Sequence, residues 1–134
     1  MPSLWEDKDA IRELLAWYCF HFDAGRFDDW LNLFTEDGVF DVSGVGRFVG
    51  RTQLRAFLKN VPVANGVPTM KHCVMNDIVR VDGDEATAQS YVLVARHGER
   101  LELGVAGRYE DRLRRVDGQW RFMERKAFLD YMNR

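Results

Sequence analysis

The sequence contains only two cysteines, Cys19 and Cys73, which are too few for a disulfide framework and match no zinc-ligand spacing. We expect both to be reduced, buried side chains, and a single disulfide between them is the alternative. The three histidines are also scattered along the chain, without the spacing of a zinc or iron site. We therefore predict no metal and no cofactor.

Long apolar runs are absent as well. No segment approaches the roughly 20 residues of a membrane-spanning helix, and the start MPSLWEDKD lacks a basic stretch followed by an apolar signal core. We expect a cytoplasmic location and no membrane partner. The net charge is only −2, with both signs interspersed, so nucleic acid is not an expected partner either.

The spacing of apolar residues changes once, from a helical period to an alternating one, with no repeat or low-complexity linker between the two parts. This pattern predicts a single α+β domain over residues 1–134. The first part should contain a helix from about Leu4 to Ala24, a helical stripe from Phe27 to Phe34, a short strand from Val39 to Val42 and a short helix over Leu54 to Leu58.

Four long alternating segments follow a loop bracketed by Pro62 and Pro68, and turn residues separate them. The predicted strands are Met70 to Val81, Ala86 to His97, Leu101 to Val116 and Gln119 to Leu129. Turns this short favour antiparallel hairpins. We predict a cone-shaped, curved antiparallel sheet wrapped around the long first helix, with an interior that can hold one ligand.

One acidic residue ends an almost wholly apolar segment. Asp23 closes the almost wholly apolar stretch LLAWYCFHFD (14–23), and a strand histidine, His72, follows much later. Burial disfavours the charged form of a carboxylate, whereas a histidine partner would stabilise that charged form. The pair could then hold the imidazole of His72 as a general base. In the alternative, Asp23 is a turn residue in water and His72 is an ordinary histidine at a sheet edge.

Two regions carry a family resemblance. The motifs FDAGRFDDW (22–30) and LFTEDGVF (33–40) resemble the opening of SnoaL-like proteins of the nuclear transport factor 2-like superfamily. The motifs GRYEDRL (107–113) and DGQWRF (117–122) resemble the closing hairpin of the same family. The resemblance covers nearly the whole chain and implies the cone-shaped α+β fold. The superfamily includes both enzymes and binding proteins without catalysis.

Within this family, the placement of Asp23 and His72 is similar to the Asp-His dyad of scytalone dehydratase-like and lindane dehydrochlorinase-like enzymes. The resemblance implies that His72 takes a proton from carbon while Asp23 orients the imidazole. Tyr18 matches the oxyanion-stabilising tyrosine of ketosteroid isomerase-like relatives, although a tyrosine on the apolar stripe of a helix is more often a core aromatic. The base of those isomerases is less well matched, because Asp41 falls one residue from the expected position.

Three further residues complete the candidate site. Asn76 lies an even number of residues beyond His72, so in a regular strand both face one side, and the amide could bind a substrate oxygen. We also assign Phe22 and Trp30 to substrate binding. Arginines on the last two strands are interleaved with acidic residues and predict ion pairs on a solvated or subunit-facing surface: Arg108, Arg112, Arg114, Arg115, Arg121 and Arg125, with Glu102, Glu110, Asp111 and Glu124.

These features predict a cofactor-independent lyase or isomerase that removes a carbon-bound proton from a small, largely apolar or polycyclic molecule, by elimination or enolization. The alternative is a non-catalytic module that binds a small ligand or assembles into an oligomer. A ketosteroid isomerase-like enolization is the minor alternative. Relatives pair through their sheets, which implies a homodimer or a trimer here.

Overall fold

The computed structural model describes residues 2–133, which form three helices and eight strands. The helices are α1 (Leu4–Asp23), α2 (Phe27–Leu31) and α3 (Gly50–Leu58), and the strands are β1 (Phe34–Val42), β2 (Gly46–Val49), β3 (Val63–Ala64), β4 (Val67–Pro68), β5 (Met70–Asp82), β6 (Glu85–Arg96), β7 (Glu102–Val116) and β8 (Gln119–Met132). None of the helices in this range has the length and apolar character needed to span a membrane.

Helix α1 begins with a capping box. The hydroxyl of Ser3 accepts from the backbone N–H of Glu6 at 3.1 Å, and the Glu6 carboxylate accepts from the backbone N–H of Ser3 at 3.3 Å. Its apolar stripe is buried against the sheet, through Ile11, Leu14, Leu15, Tyr18 and Phe22. The helix ends one residue before the predicted end, with Ala24 as its C-cap.

A curved six-stranded sheet packs on this helix, in the order β2-β1-β8-β7-β6-β5. Strands β5 to β8 form the three predicted antiparallel hairpins. The predicted antiparallel sheet contains one parallel pair, β1 with β8, so the sheet is mixed. These two strands are joined through the rest of the domain and not by a hairpin, so their direction is not set by a turn.

Two local predictions also differ from the structure. Phe34 was expected to end the second helix, but it is fully buried in β1 and pairs with Phe122 of β8, because burial in the sheet outweighs its helical spacing. The segment between Pro62 and Pro68 contains the β3-β4 hairpin, where a loop was predicted.

The β3-β4 hairpin packs closely on the end of α1. Gly25 follows the helix with a φ of 74°, in the left-handed region that favours glycine. A Cβ atom at this position would lie 2.6 Å from the carbonyl oxygen of Gly66 in the hairpin turn. Glycine is therefore needed here for both its conformation and its small size, and it fixes the end of the helix that carries Asp23.

The two faces of the sheet have different environments. We call the face toward α1 the inner face. On β7, buried Tyr109 and Leu113 alternate with exposed Arg108 and Arg112.

Cys73 lies on the outward side of β5 and is exposed, so the expectation that both cysteines are buried is wrong for Cys73. Both thiols are free. The outer face also exposes apolar side chains, including Tyr91, Leu93 and Leu103, and the expected homo-oligomer stays a prediction.

Candidate active site

A cavity of about 260 Å³ lies between α1, α3 and the inner face of the sheet. Its lining is mainly aliphatic and aromatic, with contributions from Phe22, Phe40, Val42, Phe48, Phe57, Val92, Val94, Val105 and Leu129. Cavities that take drug-sized ligands measure roughly 300–1,000 Å³. This cavity therefore suits a small molecule of one or two rings.

Asp23 and His72 meet at the wall of this cavity. Asp23 is the last residue of α1, and His72 is the third residue of β5. One carboxylate oxygen, Oδ1, lies 2.7 Å from the imidazole Nδ1, and the other, Oδ2, accepts the backbone N–H of His72 at 2.8 Å. The side chains of both residues are only 9% exposed, so the contact is shielded from water.

The position of Asp23 explains why it needs this partner. A carboxylate at the C-terminus of a helix faces the negative end of the helix dipole and gains nothing from the helix itself. The two N–H groups of His72 supply the hydrogen bonds that a shielded carboxylate requires. In return, the carboxylate orients the ring and favours a proton on Nδ1.

The opposite imidazole nitrogen is available. With Nδ1–H donating to Asp23, Nε2 of His72 carries the lone pair, and no other residue in 2–133 hydrogen-bonds to it. The ring is held edge-on by two aromatic residues of the cavity wall. Its centroid lies 4.9 Å from that of Phe22 and 6.0 Å from that of Tyr18. The site thus contains an oriented imidazole next to aromatic walls.

A second polar cluster lies deeper on the inner face. The guanidinium of Arg125 is fully buried and donates from Nε and Nη2 to the two carboxylate oxygens of Asp111, at 2.8 and 3.0 Å. Its central carbon lies 3.6 Å from the ring centroid of Tyr109 and 4.3 Å from that of Tyr18. Both tyrosines also line the cavity. Arg125 is therefore a buried cation that lies over both phenol rings.

Burial raises the pKa of Tyr18 to about 12, although the Arg125 charge and a hydrogen bond with Tyr109 act in the opposite direction. Burial also raises the pKa of Tyr109 well above its usual range. Both phenols therefore stay protonated at physiological pH and can act as hydrogen-bond donors.

The comparisons with known proteins agree with this architecture. Residues 4–126 match the model of the SnoaL-like domain. The chain belongs to this family. Uncharacterized protein Rv2910c of Mycobacterium tuberculosis is 31% identical over 123 residues, which cover 89% of this chain and 82% of the relative.

Two solved structures of Novosphingobium aromaticivorans proteins superpose well on this SnoaL-like domain. A nuclear transport factor 2-like protein with a cystatin-like fold has a TM-score of 0.83 and 27% identity, covering 95% of this chain and 84% of that chain. A scytalone dehydratase-like protein has a TM-score of 0.79 and 25% identity, covering 96% and 89%, respectively. The recognised fold and family are thus confirmed.

The structure does not bring every predicted site residue to the cavity of this SnoaL-like domain. Asn76 has a φ of 59° in a β-bulge, where the register shifts between Met75 and Ile78, and its side chain is exposed. The expectation that Asn76 shares a face with His72 is wrong, because the bulge interrupts the alternation. Phe22 does line the cavity.

Two other residues lie away from the cavity. Trp30 was assigned to substrate binding, but it is fully buried in the core and is not part of the lining. Asp41 pairs with Arg47 at 3.4 Å, whereas its neighbours Phe40 and Val42 face the cavity. The base expected of a ketosteroid isomerase-like site is therefore not at the cavity.

The prediction that Asp111 and Arg125 lie on a solvated or subunit-facing surface is wrong. A bulge near Met123 lets Glu124 pair outward with Arg47, at 2.8 Å, while the next residue, Arg125, points inward. Of the other predicted partners, Arg112 on β7 pairs across the strands with Glu124 on β8 at 3.9 Å. Arg108 pairs with Glu110 of its own strand at 3.0 Å.

The sequence reasoning missed three polar residues of the lining: Asn60, Arg96 and Tyr109. Two of them lie at even spacing from other inward-facing residues of their strands, and this spacing could have indicated that they face the cavity. Arg96 continues the inward series of Val92 and Val94 on β6, and Tyr109 lies two residues before Asp111 on β7. Within residues 2–133, no group of three or more His, Cys, Asp or Glu residues has the arrangement of a metal site.

Proposed function

We propose that this SnoaL-like protein is a cofactor-independent enzyme in which His72 removes a carbon-bound proton from a small, largely apolar molecule. The observation that carries the proposal is the shielded Asp23–His72 contact, which leaves Nε2 available at the wall of an apolar cavity. The scytalone dehydratase-like neighbour, 25% identical, adds support for a lyase reaction.

The reaction begins when Nε2 of His72 accepts the proton and the ring becomes an imidazolium. Asp23 stabilises this cation through the 2.7 Å contact with Nδ1. The electron pair of the broken C–H bond moves toward a neighbouring carbonyl and gives an enolate. In a dehydration, the pair then forms a C=C bond as a β-hydroxyl leaves, and the imidazolium returns its proton to the departing oxygen to give water.

The buried phenols supply the second requirement of such a step. Negative charge develops on the carbonyl oxygen, and a pre-oriented donor in a dry cavity stabilises it more than water does. Tyr18 lines the cavity beside His72 and remains protonated, with a pKa of about 12. Arg125, stacked on its ring, keeps a positive charge close to the developing enolate.

The experiment is hydrogen–deuterium exchange at the α-carbon of small cyclic ketones in D₂O, with 2-tetralone as the first probe and ¹H NMR as the readout. The wild-type protein should accelerate exchange. His72→Ala should slow it by roughly 100-fold or more, because general-base catalysis contributes about 10²–10⁴. Asp23→Asn should also slow exchange, since the ring loses its charged partner.

His97→Ala is the matched control, because His97 is an exposed histidine at a strand end and does not line the cavity. It should exchange at the wild-type rate, and circular dichroism should show that all variants are folded. Exchange at an unchanged rate in His72→Ala would contradict the proposed base. Binding of the ketones without any catalysed exchange would favour a ligand-binding module over an enzyme.

A further inference from the structure

Among residues 2–133, Arg96 is a cation that faces the cavity without a carboxylate partner. Arg96 is the last residue of β6 and follows Val92 and Val94 on the same inner series. In the β5-β6 ladder, Val94 lies opposite His72, and Arg96 lies opposite Met70. Because a strand rises about 3.3 Å per residue, Arg96 begins about 7 Å further along the sheet than His72.

The neighbouring strand is shaped around the Arg96 side chain. Gly104 lies at the β-bulge of β7, where the register with β6 shifts between Val94 and Ala95. A Cβ atom on Gly104 would lie 2.8 Å from Nε and 2.9 Å from Cγ of Arg96. The arginine stem therefore occupies the space that a side chain at position 104 would take, and this contact fixes its course across the sheet.

The charge of Arg96 is not compensated by the acidic residues that the structure describes. No carboxylate in residues 2–133 lies within ion-pair distance of its guanidinium. Glu102 is opposite Arg96 in the β6-β7 ladder. Its carboxylate instead contacts Nδ2 of Asn133 at 3.3 Å and Nε of Arg100 at 3.6 Å. Arg96 is half-buried as a residue, and its guanidinium thus keeps its donors for a ligand.

We propose that Arg96 binds a carboxylate of the ligand, so that the cavity takes small ring compounds that carry one carboxylic acid group. The planar guanidinium can donate two parallel hydrogen bonds to a carboxylate, which a neutral group cannot match in strength. The apolar walls would hold the ring, with its reactive carbon toward His72. The assignment of this ligand as a substrate rests on the proposed function, whereas the binding preference does not.

The test compares two probes of the same shape, 2-naphthoate and its neutral amide, 2-naphthamide, by isothermal titration calorimetry. The wild-type protein should bind 2-naphthoate at least tenfold more tightly. In Arg96→Met, which keeps the length and apolar stem, this preference should fall to within about twofold. The affinity for 2-naphthamide should change little, because the ring contacts remain.

Arg100→Met is the matched control for the loss of one positive charge. Its side chain is 83% exposed and does not line the cavity, so this variant should keep the preference for the carboxylate. Equal binding of the two probes by the wild-type protein would overturn the proposal. A preference that survives in Arg96→Met, or that is lost equally in Arg100→Met, would overturn it too.

The His72→Ala variant separates this proposal from the proposed function. It should retain the preference for 2-naphthoate while it loses α-carbon exchange, because Arg96 acts in binding and His72 in proton transfer. A clear preference in a protein that catalyses no exchange would leave Arg96 as a ligand-binding residue and refute only the enzyme. Catalysed exchange without any preference would refute only the role of Arg96.

Discussion

The buried ion pair of Asp111 and Arg125 allows the sharpest prediction about stability. We consider Asp111→Asn, which keeps the size of the side chain and removes its charge. The pair is completely buried, with two hydrogen bonds at 2.8 and 3.0 Å. After the substitution, the guanidinium stays buried without a counter-charge.

Removal of one partner of a buried ion pair costs about 3–5 kcal/mol in general. Asparagine still offers one acceptor to Arg125, so we expect a value near the low end, about 3 kcal/mol. Stacking of the guanidinium on the rings of Tyr18 and Tyr109 recovers part of the loss but cannot neutralise the charge. Urea denaturation, followed by circular dichroism, measures the change in free energy of unfolding.

The matched control is Glu85→Gln. Glu85 pairs with Arg114 at 3.3 Å, but the two side chains are 63% and 45% exposed, so its loss should cost less than about 1 kcal/mol. The double variant Asp111→Leu/Arg125→Met should be more stable than Asp111→Asn, because it also removes the desolvation cost of the cation. A loss below about 1 kcal/mol in Asp111→Asn would refute this account of the pair.

Two further predictions concern the cysteines and the end of α1. Burial raises the pKa of the Cys19 thiol to about 12, so the thiol stays protonated at pH 8. A thiol reagent such as DTNB should label only exposed Cys73 in the native protein and both cysteines after denaturation, and labelling of native Cys19 would contradict its burial. Gly25→Ala should destabilise the protein by about 1–3 kcal/mol in urea denaturation, because it adds a steric clash to the unfavourable φ. Gly44 has nearly the same φ, 75°, but no atom lies within 4 Å of an added Cβ, so an equal loss in Gly44→Ala would show that the clash at Gly25 contributes nothing.

Much of the fold could be predicted from the sequence because its signals are local. The helical period of Ile11 to Phe22 predicts α1, and short turns between alternating segments predict the hairpins of β5 to β8. The parallel pairing of β1 with β8 could not be predicted in this way. The relative direction of β1 and β8 depends on the arrangement of all the elements between them, and neither strand contains a residue that specifies this direction.

The errors at Asn76 and Arg125 have one physical origin, the β-bulge. A bulge adds one residue to a strand and moves the following side chains to the opposite face. Near Met123 it turns Arg125 into the core, and in β5 it leaves Asn76 exposed. The contact of Asp23 with His72 lies before the β5 bulge, where regular alternation still holds.

The proposed mechanism requires His72 to present a basic nitrogen to the cavity. ¹⁵N NMR of histidine-labelled protein measures this directly, with His72→Gln to assign the signals. In the neutral ring, the account predicts a proton on Nδ1, bonded to Asp23, and an unprotonated Nε2 whose resonance shifts when 2-naphthoate binds. A proton on Nε2 and none on Nδ1 would contradict the account, because the nitrogen facing the ligand could not accept a proton.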